Sequence, residues 1–321
     1  LAPTSAEVEN LARAYLQIRI WGAPAAIALF AMTGWLIAVE NTRGVFLLQI
    51  WMNGINILLD LWFVLGLDWG VEGVALATLI AEWSGVLLGL WFCRAAFVGA
   101  QWRNWARVFD PQRLRRMMQV NGDILVRSVL LTGSFTTFLF LGASFGDLTL
   151  AANQILLQFV HITSYALDGF AFAAEALVGS ALGAGSHRKL HRAGLLSSQW
   201  GLVTALGLSL AFALGGGLLI DLMATAPEVR SEARAYLPWA ALLPVFSLAS
   251  YMFDGIFIGA TWTTEMRQAM IRSVALYAAA LLLLVPLWGN HGLWAALLVL
   301  NTARGITLAR RYPSLAAQVK Q

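Results

Sequence analysis

Nine stretches of this chain are long and apolar enough to cross a bilayer, which leaves few folds open to it. They cover about residues 11–38, 45–67, 73–93, 124–141, 148–182, 193–220, 235–260, 271–288 and 292–308. A spanning helix needs about 20 such residues. In lipid, each backbone N–H and C=O must be satisfied within a helix or a closed barrel. Barrel strands would alternate polar and apolar residues over about ten positions, and these runs do not. Only 12% of the residues are charged and 59% are hydrophobic, against about 25% charged in a soluble domain. The expectation is an all-α polytopic membrane protein. A single cysteine, Cys93, excludes an internal disulfide framework.

The charges sit between the runs and alternate. Asp68 and Glu72 separate the second and third runs with no basic residue, whereas Arg94, Arg103, Arg107, Arg113, Arg115 and Arg116 separate the third and fourth. Asp147 stands alone in the next gap, and Arg188, Lys189 and Arg192 fill the one after it. Arg267 and Arg272 follow the seventh run, and Arg304, Arg310, Arg311 and Lys320 the ninth. With Arg43, one side collects 16 of the 21 Lys and Arg residues. The positive-inside rule makes that side cytoplasmic, so the C-terminus is expected in the cytoplasm. A net charge of +4 would also suit a nucleic-acid binder, but alternation loop by loop argues against one.

The fifth run carries a polar line. Gln154, Gln158, His161, Tyr165, Asp168, Phe172 and Glu175 follow one another at steps of four and three, so all share one helical face. From Gln154 to Glu175 a helix rises about 32 Å, the depth of a bilayer core. An ionisable group facing lipid there costs roughly 2.5–3.5 kcal/mol. The stripe is therefore expected to line a wet cavity, for substrate contact or proton relay. A polar seam that only joins helices is the plainer alternative.

An internal repeat organises the chain. Glu7-Val8 and the run from Ala12 to Leu16 recur as Glu228-Val229 and the run from Ala233 to Leu237, displaced by 221; Gly34 and Gly255 keep that offset. Trp69-Gly70 and Gly73 recur as Trp288-Gly289 and Gly292, displaced by 219. Runs seven to nine thus repeat runs one to three in the same orientation, a parallel repeat. A complete first half would need about three more helices ahead of Leu1, so the chain reads as N-terminally truncated. The expected organisation is the remainder of one lobe over 1–95, a cytoplasmic amphipathic linker over 96–120 with Trp102, Trp105 and Phe109, a six-helix lobe over 121–312, and a tail over 313–321. Pro24 and Pro244 permit kinks. Gly85 with Gly89, and Gly179 with Gly183, have the spacing for close helix packing.

The second run holds Asn53, Asn56 and Asp60, the last two four apart, and the third offers Thr78 and Glu82, again four apart. A tight turn at 68–73 makes these helices antiparallel neighbours, so oxygens can converge as hard-cation or proton ligands. An Asn56–Thr78 hydrogen bond with Asp60 near the outer surface is an equal alternative. In the fourth run Asp123 and Arg127 form an (i, i+4) pair, or Arg127 reaches Glu175 instead. Asp254 lies at membrane depth in the seventh. No enzyme is expected. Gly142-Ala-Ser-Phe-Gly146 has the hydrolase elbow pattern but lacks the strand it needs, and metal or phosphate motifs are absent. His187 and His191 read as solvated residues of an inside loop.

Together these residues resemble the multidrug and toxic compound extrusion (MATE) family, in its DinF branch. The resemblance rests on Asn53-Gly-Ile-Asn56-Ile-Leu-Leu-Asp60, Gly70-Val-Glu-Gly73-Val-Ala-Leu-Ala-Thr78, Asn121-Gly-Asp123-Ile-Leu-Val-Arg127 and Leu167-Asp168-Gly169-Phe-Ala-Phe-Ala-Ala-Glu175. Relatives often have Asn-Arg-Asp where this chain has Asn121-Gly122-Asp123. The resemblance implies a two-lobe bundle of which this chain is family helices four to twelve. It implies a cation site at Asn56, Asp60 and Thr78, with Na⁺ as the one metal expected there. Gln158, His161, Tyr165, Asp168, Glu175, Arg127, Glu82 and Asp254 are then the cavity or proton-relay candidates. The implied activity is efflux of small organic, often cationic, compounds in exchange for H⁺ or Na⁺ by rocking lobes, without a cofactor, by a monomer embedded in the lipid bilayer. A lipid-linked oligosaccharide flippase is the alternative within the superfamily, and a membrane-embedded enzyme the remoter one.

Overall fold

The computed structural model describes residues 6–98 and 103–318. Trp102 and Lys320, invoked above for the linker and the tail, lie outside the described residues. Among those residues there is no strand, and nine helices are long and apolar enough to cross a membrane. They are α1 Glu9–Ala38, α2 Thr42–Gly66, α3 Gly70–Phe97, α4 Pro111–Ala143, α5 Asp147–Gly183, α6 His187–Met223, α7 Pro227–Gly259, α8 Thr263–Trp288 and α9 Asn290–Ala317. Several outrun their apolar segments, because a helix satisfies its own backbone and continues after its side chains become wet. His187 and His191 accordingly sit in the first turns of α6, not in a loop.

The chain divides into two compact units, Leu1–Asp110 and Pro111–Gln321. In the first, α1 is interrupted by a 3-10 turn at Ile20–Gly22 just before Pro24. Its second part packs with α2 and α3 through Ala25, Leu29, Met32, Leu36, Leu48 and Val86. Gly85 and Gly89 of α3 admit Met52 and Met32, whose sulfurs would lie 2.8 Å from an added Cβ at either position. The α2–α3 turn uses left-handed backbone at Asp68 (φ 55°) and Gly70 (φ 53°), conformations that short polar residues and glycine tolerate. Beyond α3 lie a four-residue helix, Trp105–Val108, and a stacked Trp105–Phe109 pair at 5.9 Å.

The second unit is built around α9, most of which is buried. Phe138 of α4 meets Trp294 of α9 edge-on at 5.0 Å, and Phe159 of α5 meets Phe212 of α6 at 4.9 Å. A buried amide knot ties α5 to α9: Asn153 and Asn290 exchange hydrogen bonds of 2.8 and 3.0 Å, and Trp294 donates to Asn153 Oδ1 at 2.9 Å. Helices α5 and α7 cross backbone to backbone. A Cβ at Gly255 would lie 2.2 Å from the Ala171 carbonyl oxygen, and one at Gly259 would lie 2.3 Å from that of Glu175. Of the predicted Gly179–Gly183 pair, a Cβ added at Gly179 would lie 3.3 Å from the Gly259 carbonyl oxygen, but one at Gly183 would meet nothing within 4 Å; the small-residue contact belongs to α7. The repeat reappears in the backbone. Glu40 and Thr261, 221 positions apart, both cap a helix in left-handed conformation (φ 58° and 57°), and Gly70 and Gly289 match at φ 53° and 55°.

Candidate functional site

In the first unit, α2 brings Asn56 and Asp60 one turn apart, and α3 sets Thr78 beside them. Asn56 Nδ2 donates to Thr78 Oγ1 at 3.3 Å, and that hydroxyl donates to the Val74 carbonyl at 3.0 Å. The Thr78 hydroxyl proton is thereby used, while the Asn56 side-chain carbonyl oxygen accepts no hydrogen bond among the described residues. Asp60 is partly buried, and its Oδ1 is shielded with no hydrogen-bond partner. Directly after it, α2 widens into π-helix at Leu61–Gly66, a distortion that often accompanies functional sites. Asn56 and Thr78 are thus hydrogen-bonded across the two helices, and Asp60, one turn further along α2, is a half-buried acid with one unsatisfied oxygen. Glu82 is not part of this group. Arg19 of α1 grips it with two bonds of 2.9 and 2.8 Å. Asn53 turns back to the Gln49 carbonyl at 2.9 Å.

In the second unit, three helices converge on Asp254 of α7. Arg127 of α4 and Arg304 of α9 both donate to its Oδ2, Arg304 at 2.5 Å. Arg304 also donates to Asn301 Oδ1 at 3.2 Å. Asp254 is 6% exposed and Arg304 4%, whereas Arg127 is partly buried. One turn before Asp254, Tyr251 shares a 2.5 Å hydrogen bond with Ser164 of α5. Asp168, one turn beyond Ser164, is half-buried and within electrostatic range of Asp254, Arg127 and Arg304. Of the two acidic side chains in this group, Asp254 makes the ion pairs with both arginines.

Three sequence expectations need correction. Asp123 does not pair with Arg127; it accepts from Thr263 (3.0 Å) and Thr264 (2.8 Å) and pairs with Arg267 at 2.6 Å. Arg127 does not pair with Glu175, which makes no side-chain hydrogen bond or ion pair among the described residues; its guanidinium is held by Asp254 of α7 instead. Arg304, counted above with the flanking charges, lies inside α9. Its position within the ninth apolar run was the available signal that it is an interior residue.

The polar stripe of α5 emerges on one face. Gln154, Gln158, His161, Tyr165 and Phe172 are exposed, Asp168 and Glu175 are partly buried, and His161 stacks on Tyr165 at 6.4 Å. Leu167 and Val178, on other faces, are fully buried.

The MatE family profile matches residues 124–287. The chain is 38% identical over 314 residues to the DNA damage-inducible protein F of Escherichia coli K12, covering 95% of this chain and 66% of that protein. It is 29% identical over 297 residues to Protein DETOXIFICATION 43 of Arabidopsis thaliana, covering 92% of this chain and 55% of that one. A mutant of the Vibrio cholerae MATE transporter VcmN shares the fold, with a TM-score of 0.88 at 20% identity over 98% of this chain and 73% of its own. This chain thus spans between half and two thirds of these two curated relatives. With the family profile covering half of its length, the helices arranged as in a solved MATE transporter, and a bacterial relative this similar, the chain belongs to the MATE family, in its DinF branch.

Proposed function

We propose that the protein is an inner-membrane antiporter that expels small organic, often cationic, compounds in exchange for H⁺ or Na⁺, by alternating access. The observation that carries this reading is Asp60. Its Oδ1 is shielded from water and lacks a hydrogen-bond donor, a costly state for a carboxylate unless a proton or cation satisfies it. Asn56 and Thr78 add the oxygen ligands that a hard cation takes. Coupling then follows from charge: a site that holds either the ion or a cationic substrate, but not both, exchanges one for the other. The exposed stripe of α5, with Asp168 behind it, supports a polar path for substrate. In this reading the protein works as a monomer with its C-terminus in the cytoplasm.

The flippase reading finds less support. Such a carrier needs interior cations to hold a pyrophosphate group. Arg127 and Arg304 are both engaged by Asp254, and Arg19 is engaged by Glu82.

The test is efflux of a fluorescent organic cation from vesicles carrying the intact protein, with pH and Na⁺ gradients imposed separately. Efflux driven by one of the two gradients is expected. Efflux indifferent to both would exclude ion coupling.

A further inference from the structure

On the outside of the second unit, α9 carries a groove of about 480 Å³ that none of these polar groups uses. Its lining includes Leu298, Val299, Ile306 and Arg310 of α9, Leu276 of α8 and Phe246 of α7. Phe246, Leu276 and Ile306 are exposed. Thr307 also lines it, but its hydroxyl is turned inward to the Ala303 and Arg304 carbonyls at 2.7 and 3.0 Å. The surface is thus almost wholly hydrocarbon with a cation at one end.

Two features identify what fits. The first is length. From Leu298 to Arg310 the helix rises about 18 Å, slightly more than half of a hydrocarbon core about 30 Å thick. The groove therefore covers one leaflet and ends at headgroup level. The second is charge. Arg310 makes no ion pair or side-chain hydrogen bond among the described residues, whereas its neighbour Arg311 pairs with Glu265 at 3.4 Å. Arg272, equally exposed and unpaired among the described residues, stands four positions before Leu276 on the same face of α8. Helices α8 and α9 form an antiparallel hairpin, so the start of one and the end of the other share a membrane face. An arginine within a spanning segment keeps its stem in the apolar layer and its head at the interface.

We propose that this groove binds an anionic phospholipid, one acyl chain lying along Leu298 to Ile306 and the phosphate held by Arg310 and Arg272. Basic residues beside an apolar interhelical surface at headgroup depth are the composition that retains acidic lipid headgroups. The site does not depend on the proposed transport reaction.

Native mass spectrometry of the chain in detergent, with phosphatidylglycerol or phosphatidylcholine added back, tests the assignment. Phosphatidylglycerol is expected to be retained in preference. Arg310→Gln and Arg272→Gln should each weaken its retention by about fivefold, the equivalent of ~1 kcal/mol per arginine at a charged surface. Ile306→Trp, at an exposed position in the groove, should reduce retention of both lipids. Arg188→Gln, outside the groove, should leave the preference intact. Equal retention of the two lipids, or equal losses from Arg188→Gln and Arg310→Gln, would overturn the proposal. So would a dimer that forms through this face and excludes lipid.

Discussion

Asp60 and Asp254 are both acids at membrane depth, yet their partners divide them. Asp254 receives two guanidinium groups on one oxygen, whereas Asp60 Oδ1 receives no donor. A shared, buried carboxylate is expected to hold helices together; an unsatisfied one is available to an exchanging ion. Asp254→Asn should therefore destabilise the protein by about 3–5 kcal/mol, because it strands Arg127 and Arg304 without their counter-ion. Arg127→Gln should cost less, since Arg304 still neutralises Asp254. Thermal unfolding in detergent measures both, and equal melting temperatures for Asp254→Asn and the unaltered protein would remove the structural role. Asp60→Asn should show the reverse pattern: melting close to the unaltered protein, but gradient-driven efflux at least about tenfold lower, or ~1.4 kcal/mol of lost coupling. Unchanged efflux would move the coupling site to Asp168, Glu175 or Asp254.

At the scale of the helix, α5 and α7 depend on missing side chains. Gly255 leaves no room for a Cβ against the Ala171 carbonyl, whereas Gly34, its counterpart in the repeat, has nothing within 4 Å. Gly255→Ala is expected to cost about 1–3 kcal/mol by overpacking. Gly34→Ala should instead be neutral or stabilising by up to about 1 kcal/mol through helix propensity. Equal effects in a melting experiment would mean that the α5–α7 crossing is looser than its backbone contacts imply. The stripe on α5 is separately testable. Cysteines replacing Tyr165 or Asp168 should react with small water-soluble thiol reagents, and a cationic substrate should protect them. Cysteines at Leu167 or Val178, both fully buried, should react poorly. Similar rates at all four positions would make the stripe packing material. Cys93 is buried, so background labelling should be low.

For the whole molecule, the alternating charges predict one orientation in the membrane. A cysteine replacing the exposed Arg115 should be labelled only from the cytoplasm, and one replacing Asp147 only from outside. Labelling of Arg115→Cys from outside in intact cells would reverse the orientation, and with it the direction assigned to efflux.

The number of spanning helices, the parallel repeat and the polar face of α5 were all legible in the residues alone, because each depends on a local regularity. Apolar length reports a bilayer crossing, and three-four spacing reports a helical face. Even the repeat's left-handed caps fall at the offsets read from its sequence, at Glu40 with Thr261 and Gly70 with Gly289. Partner choice was not legible. Asp123 and Arg127 have ideal spacing for a pair along one helix, yet each is held across helices, by Arg267 and by Asp254. Arg304 reads as a flanking charge until α9 is seen to run past it into the core of its unit. An ion pair at membrane depth is decided by which helices meet and at what height, and here α4 and α9 both meet α7 at Asp254. Sequence spacing specifies a face, but only packing determines what that face meets.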